Sequence, residues 1–272
     1  MKIFDGKKQA QKIEENIKEI LDNNPEITNS ILGIVLIGSD PSSEKFIKIK
    51  SNLCEKLGIG YEVFKIDENL PDEEIIKRVK NIFESREVGG GIIQLPLPRE
   101  GLYKVLDFIP AEKDVDVIST VGKDKFYSGD FSVLSPVLRA FENFINENEI
   151  EMGGLKAIVI GDGELVGKPI YFYLEKKGVE VELLSNYDGK SRLNCDLLVL
   201  ATGVPNLVKG ENITDDCNVV DFGYSVVDGK CMGDLDMSST LEHLGCISKS
   251  PGGMGPLVVR HLLLNYLTTC SS

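Results

Sequence analysis

The chain has 272 residues, 42% hydrophobic and 27% charged, a globular composition long enough for one large α/β unit or two ordinary domains. Asp and Glu number 43 against 30 Lys and Arg, so the net charge is −13, which argues against non-specific binding to nucleic acid or anionic lipid. Six cysteines with no Cys-x-x-Cys pair, and two histidines, fit neither a disulfide scaffold nor a structural zinc site and read as small buried hydrophobes of a reduced protein.

Met1 to Lys8 run straight into a charged amphipathic segment with no apolar signal core. No apolar run approaches the roughly 18 residues of a membrane span. The expectation is a cytoplasmic protein with no membrane partner. Ile13, Ile17, Ile20 and Leu21 recur at helical spacing, which predicts a helix over 7–22. The continuous apolar run from Ile31 to Ile37 reads as a strand buried on both faces. Asp40-Pro41 is an N-cap followed by Pro at the first helical position, so a helix follows to about Leu57. Tyr61–Ile66 alternates like a strand, Asp72–Ser85 reads as a helix, and Gly91–Gln94 is a strand broken by Leu95-Pro96-Leu97-Pro98.

The second half repeats the rhythm: a helix over 137–148, a strand over 156–160, a helix over 166–177, strands at 179–184, 196–200 and 218–221, and a closing apolar helix over 256–268. Strands alternating with helices imply parallel sheets covered by helices. The expected class is α/β with two domains. The first covers 1–135 and takes back the closing helix, 256–272; the second covers 136–255.

Five segments could carry chemistry. Phe46, Lys50, Leu53, Cys54 and Leu57 share one helix face, which sets Lys50 inside an apolar stripe. Either its stem packs while the ammonium reaches water, or desolvation lowers its pKa and makes it a proton carrier. Gln94 stands at the carboxyl end of a buried strand, where α/β sheets place ligands, or it caps the strand. Asp114 and Asp116, two apart, could accept hydrogen bonds from an amino-substituted heterocycle or decorate a turn. Gly161, Gly163 and Gly167 lie between a strand and a helix, where backbone N–H groups can cradle a pyrophosphate. Pro251-Gly252-Gly253-Met254-Gly255-Pro256 is a stiff-ended loop, open to close approach by a ligand or simply a tight link into the last helix.

Together these segments resemble the bifunctional methylenetetrahydrofolate dehydrogenase/cyclohydrolase family. The resemblance runs in order from Gly38-Ser39-Asp40-Pro41 through Lys50, Gln94-Leu95-Pro96-Leu97-Pro98, Lys113-Asp114-Val115-Asp116, Gly161 to Pro169, Ala201-Thr202-Gly203, Val220-Asp221-Phe222-Gly223 and Gly233-Asp234 to the Pro251–Pro256 loop. It implies a catalytic folate domain, a Rossmann-like cofactor domain, a cleft between them and a homodimer. It also implies two reactions: oxidation of 5,10-methylenetetrahydrofolate to the methenyl form by a nicotinamide cofactor, then hydrolysis to 10-formyltetrahydrofolate.

By the same resemblance Lys50 moves the proton, Gln94 orients it and Asp116 anchors the pterin. Phe46, Ile93, Leu95 and Pro251, Gly252, Gly253, Met254 and Gly255 line the folate. Gly161, Asp162, Gly163, Ser185 and Tyr224 line the cofactor, nominally NADP. Three departures stand out. Phe46 replaces a family Tyr, Val117 replaces a Gly, and Asp162-Gly163 replaces the usual Arg-Ser. The last removes a clamp for a 2′-phosphate and makes NAD the alternative. Phe46 leaves open a member that retains one step. A non-catalytic dinucleotide-binding regulator is the third reading; the retained Lys50, Gln94 and Asp116 argue against it.

Overall fold

The computed structural model describes residues 1–270. In chain order its elements are β1 (Lys2–Ile3), α1 (Gly6–Asn23), β2 (Ile31–Ile37), α2 (Pro41–Leu57), β3 (Tyr61–Ile66), α3 (Asp72–Glu84), β4 (Val88–Ile93), α4 (Thr120–Tyr127) and α5 (Pro136–Glu147). There follow β5 (Lys156–Ile160), α6 (Gly167–Lys176), β6 (Glu180–Leu184), β7 (Leu197–Leu200), β8 (Val208–Lys209), β9 (Asn218–Asp221), β10 (Ser225–Val227), β11 (Lys230–Met232), β12 (Leu235–Asp236), β13 (Cys246–Ser248) and α7 (Met254–Cys270). Among the described residues no helix is long and apolar enough to cross a membrane.

Two compact units emerge. One comprises Lys12–Pro136 with the chain from Val259 on; the other comprises Met1–Gln11 with Val137–Val258. The first eleven residues thus group with the second half of the chain, where the sequence reading kept them with the first. The cause is a short parallel pairing, Lys2 with Cys246 and Ile3 with Ile247, that periodicity cannot reveal in two residues.

The first unit is built on a parallel sheet of order β3-β2-β4. The central strand is buried on both faces, as its unbroken apolar run requires. One face packs Val35, Ile37, Ile66, Ile75, Val79 and Phe83 into a core. Helix α2 starts where Asp40 accepts a hydrogen bond from Ser43 N at 2.7 Å, and stops at Gly58 in the left-handed region (φ 73°). Buried Glu14 accepts bonds from Lys56 Nζ and from the Arg260 guanidinium, joining α1, α2 and α7. Buried Asn265 donates to Val115 O and Leu134 O, 2.9 Å each, so α7 also holds the turn that carries Asp116.

The second unit holds a six-stranded parallel sheet, β1-β13-β9-β7-β5-β6. Phe141 meets Tyr173 of α6 edge to face, with centroids 6.5 Å apart, and Phe4 meets Phe144 at 5.1 Å. The other face departs from the expectation of covering helices. Leu193, Cys195, Val208, Ile213, Leu235, Leu241 and Leu244 pack onto it from loops and two-residue strands. The connection from β6 to β7 contains no helix; it is a turn held by Asp188, which accepts from Lys190 N, Ser191 N and Ser191 Oγ at 2.7–2.8 Å.

Val117, in the turn after Asp116, has φ 57°. A β-branched residue in this region carries about 1–2 kcal/mol of strain. Val117→Gly is therefore expected to raise the unfolding free energy by about 0.5–1 kcal/mol, relief of strain exceeding the added chain entropy. Urea titration checks this; a loss above about 1 kcal/mol would show that the Val117 side chain contributes more than its backbone costs.

Candidate active site

The first unit gathers three of the expected residues. Helix α2 presents Lys50 on the flank of its buried face, next to Ser51, Leu53 and Cys54. Lys45 and Lys48 are exposed, which leaves Lys50 as the half-buried lysine of that helix. Its Nζ donates to Gln94 Oε1 at 2.8 Å. Gln94 follows β4, and its own amide donates to Leu95 O at 2.7 Å. The backbone N–H of Gln94 donates to Val35 O of the central strand at 2.8 Å, so the side chain is fixed at the sheet's carboxyl edge. Gln94 is thus both a strand-end residue and the acceptor that orients Lys50.

Burial drives the Lys50 pKa down from the ordinary lysine range, and the nearby Asp116 carboxylate opposes that shift. Burial likewise pushes Asp116 up to about 6; Lys50 counteracts it and Asp114 adds to it. The two carboxylates of this turn separate cleanly. Asp114 is buried, and its oxygens accept from Ile118 N at 3.2 Å and Ser119 N at 2.8 Å, so it shapes the turn. Asp116 remains to face Lys50 and a ligand. Phe46 is half-buried one helical turn before Lys50. Leu95 is half-buried, whereas Ile93 is 1% exposed and its side chain belongs to the core, which leaves its backbone to meet a substrate.

The Pro251–Gly255 loop lies in the second unit. Gly252 adopts φ 101°, and a Cβ on Gly253 would sit 2.5 Å from Lys249 O. The start of α1 packs against this loop, since a Cβ on Gly6 would lie 1.9 Å from Gly253 O. Two of its glycines thus serve the backbone, while the position of a Cβ on Gly255 is open. Met254 is buried at the start of α7.

The cofactor candidates follow the carboxyl ends of β5, β6 and β9. Chain order and sheet order diverge there: β5 lies between β6 and β7, the arrangement at which α/β sheets take ligands. Gly161 has φ 98°, and a Cβ on it would meet Ala201 O at 2.5 Å; one on Gly167 would meet Gly161 O at 1.8 Å. These glycines let the loop, the β7 end and α6 close together. A Cβ on Gly163 would meet nothing within 4 Å, so that position keeps space above the helix. Val166 gives α6 no side-chain cap; Lys168 N donates to Gly163 O at 3.2 Å and Pro169 has no N–H, which leaves the Gly167 N–H at the helix start for an anion. These features fit a dinucleotide pyrophosphate. Ser185 is exposed at the end of β6, and Tyr224 is 45% exposed, its hydroxyl accepting from Cys231 Sγ at 3.5 Å.

One device was not singled out from the sequence. Asp234 Oδ2 accepts from Thr202 N at 2.7 Å, Thr202 Oγ1 at 2.8 Å and Gly203 N at 3.3 Å, fixing the loop after β7. Asp221 accepts from Gly223 N at 2.8 Å, Asp234 N at 3.3 Å and Leu235 N at 3.1 Å. Burial pushes Asp221 up to about 7. Its signal was an Asp at the end of an apolar strand and another after a glycine, but only the fold joins them.

The raised Asp116 pKa has a definite sign. Against about 3.9 in an unfolded chain, its folded value near 6 gives stability that is fully present below pH 4 and lost as pH rises through 6. The stability of the wild type relative to Asp116→Asn should therefore fall by about 1–2 kcal/mol from pH 4 to pH 7. Urea unfolding of both proteins across that range checks it; a flat or rising difference would contradict the desolvated carboxylate.

The family model described as tetrahydrofolate dehydrogenase/cyclohydrolase, catalytic domain, matches residues 4–116, and that of the NAD(P)-binding domain matches residues 137–272. A bifunctional protein FolD from Hydrogenobaculum sp. is 32% identical, the match covering 98% of each chain. The solved bifunctional methylenetetrahydrofolate dehydrogenase/cyclohydrolase FolD of Campylobacter jejuni is similar with a TM-score of 0.92 at 28% identity, covering 100% of this chain and 99% of that one. The Trypanosoma brucei enzyme, solved with NADP cofactor and inhibitor, shares the fold with a TM-score of 0.88 at 22% identity, over 99% and 97% of the two chains. Matched along both halves by family models and over nearly its whole length by relatives, the chain belongs to the tetrahydrofolate dehydrogenase/cyclohydrolase family.

Proposed function

We propose that the chain oxidises 5,10-methylenetetrahydrofolate to 5,10-methenyltetrahydrofolate and hydrolyses that product to 10-formyltetrahydrofolate. The carrying observation is the bond from the half-buried Lys50 ammonium to Gln94 Oε1 with Asp116 beside it. When bound, the nicotinamide supplies the acceptor for a hydride from the methylene carbon of the substrate. The loop Gly161–Gly163, with Ser185 and Tyr224, holds the dinucleotide. Phe46, Leu95, the backbone of Ile93 and the segment Pro251–Gly255 take the folate. Cytoplasmic location and a homodimer, both implied by the resemblance, belong to the same reading.

In hydrolysis, water adds to the cationic methenyl carbon and loses a proton, and one C–N bond then opens to leave the formyl group on the other nitrogen. Lys50 takes and returns the proton. Burial lowers its pKa, so the neutral amine forms more readily than in a solvated lysine. Gln94 holds Nζ by an uncharged acceptor, which fixes direction without stabilising the ammonium as a carboxylate would. Asp116 accepts hydrogen bonds from the amino-substituted pterin ring.

Phe46 favours a second reading, a member that performs the oxidation alone, because Phe stacks on a ring but carries no hydroxyl to move a proton. One absorbance assay separates the two. Methenyltetrahydrofolate that forms and then disappears faster than its spontaneous hydrolysis supports both steps; product that accumulates supports the oxidation alone. Lys50→Met keeps the stem's packing and removes the proton carrier. It is expected to slow hydrolysis at least roughly 100-fold, the scale of general acid–base catalysis, and to slow oxidation less. Hydrolysis at the wild-type rate would remove Lys50 from this role.

A further inference from the structure

We infer that the cofactor site selects a dinucleotide with a free ribose 2′-hydroxyl, NAD, over one with a 2′-phosphate, and that Asp162 is the selecting residue. The inference rests on the dinucleotide reading given above. In doubly wound sheets the adenosine ribose meets the carboxyl end of the strand that follows the glycine loop, here β6. The parallel register pairs Ile160 with Leu184, and Gly161 N donates to Leu184 O at 2.9 Å. Gly161 thus stands level with the end of β6, and Asp162, one residue on, and Ser185, next after Leu184, leave the carboxyl ends of two adjacent strands. Both are exposed. A carboxylate and a hydroxyl can accept from and donate to a ribose hydroxyl, whereas a phosphate dianion would meet the carboxylate's charge.

The cations nearby do not reverse this balance. Lys168 Nζ is bonded to Glu164 within the same loop and helix start. Arg192 lines a pocket of about 370 Å³ beside β6, but Glu182 and Asp188 line it too. Asp188 also sets the turn that carries Lys190 and Arg192, through its three bonds from Lys190 and Ser191. The Arg192 guanidinium reaches toward Glu211 O at 3.5 Å. The pocket beside β6 thus sets Glu182 and Asp188 against Arg192, and Asp162 adds a third carboxylate from the neighbouring strand's end, on a protein of net charge −13.

The test is calorimetric titration of the full-length wild type, Asp162→Arg and Asp162→Ser with NAD⁺ and with NADP⁺, at low and at high salt. The wild type should bind NAD⁺ at least about tenfold more tightly than NADP⁺ at low salt, a difference of about 1.4 kcal/mol. The preference should shrink at high salt, because salt screens a repulsion; a phosphate held by cations would show the opposite trend. Asp162→Arg should bring the ratio to unity or below, and Asp162→Ser should fall between. Tighter binding of NADP⁺ by the wild type, a preference that grows with salt, or equal changes in both affinities on substitution would overturn the inference while leaving the dinucleotide reading standing. Failure of the wild type to bind either cofactor would overturn that reading and the inference together.

Discussion

An ammonium group removed from water needs partners that are already in place, and the first unit is arranged around that requirement. Lys50 has Gln94 Oε1 at 2.8 Å and the Asp116 charge nearby. Neither partner is free to relax away. Gln94 is tied by its backbone to the central strand and by its amide to Leu95 O. The Asp116 turn is held through Val115 O by Asn265 and shaped by the two backbone bonds of Asp114. Burial lowers the lysine's pKa, Asp116 opposes that shift, and the fixed partners hold the amine in one place, the arrangement a proton carrier needs.

The second unit solves a different problem, the close approach of backbone to a polyanion. Gly161 and Gly167 are glycines because Cβ atoms there would overlap carbonyl oxygens, which lets the β5 loop and α6 come together. Gly163 differs: its missing Cβ leaves room rather than relieving a clash. The loop opposite is held by Asp234, itself held in part through Asp221. Six donors converge on these two buried carboxylates, three from Thr202 and Gly203 after β7 and three from the N–H groups of Gly223, Asp234 and Leu235. The protein thus spends buried negative charge on order in one half and on proton chemistry in the other.

Much of this was legible in the sequence. The apolar run of β2, the Asp40-Pro41 start of α2 and the alternation of strands and helices each have one dominant local cause, and each element forms within a few residues of its expected place. The anomaly of Lys50 inside an apolar stripe was legible too, and so was the strand-end position of Gln94. What was not legible depends on pairing between distant segments. Strand β1 has two residues, and only its partner β13 makes it a strand. The pair β8–β12 is equally short, and the hairpin β10–β11 has three residues a strand. The connection between β6 and β7, for which the sequence reading named no helix, is closed as a turn by Asp188 and Gly189.

The carboxylates show why spacing alone could not assign the site. Asp114 and Asp116 are two residues apart in a turn, and the sequence offers the same side chain at both. Structure gives one to backbone N–H groups and leaves the other beside a desolvated amine. Asp221 and Asp234, thirteen positions apart in the chain, instead form one network. A carboxylate surrounded by N–H donors organises backbone, one beside a buried amine shares its charge with that amine, and one exposed just past a strand end, as Asp162 is, keeps its charge at the surface. The role lies in the environment, and that environment is assembled by residues far away in the chain: Asn265 for Asp116, Leu184 for Asp162, Thr202 for Asp234.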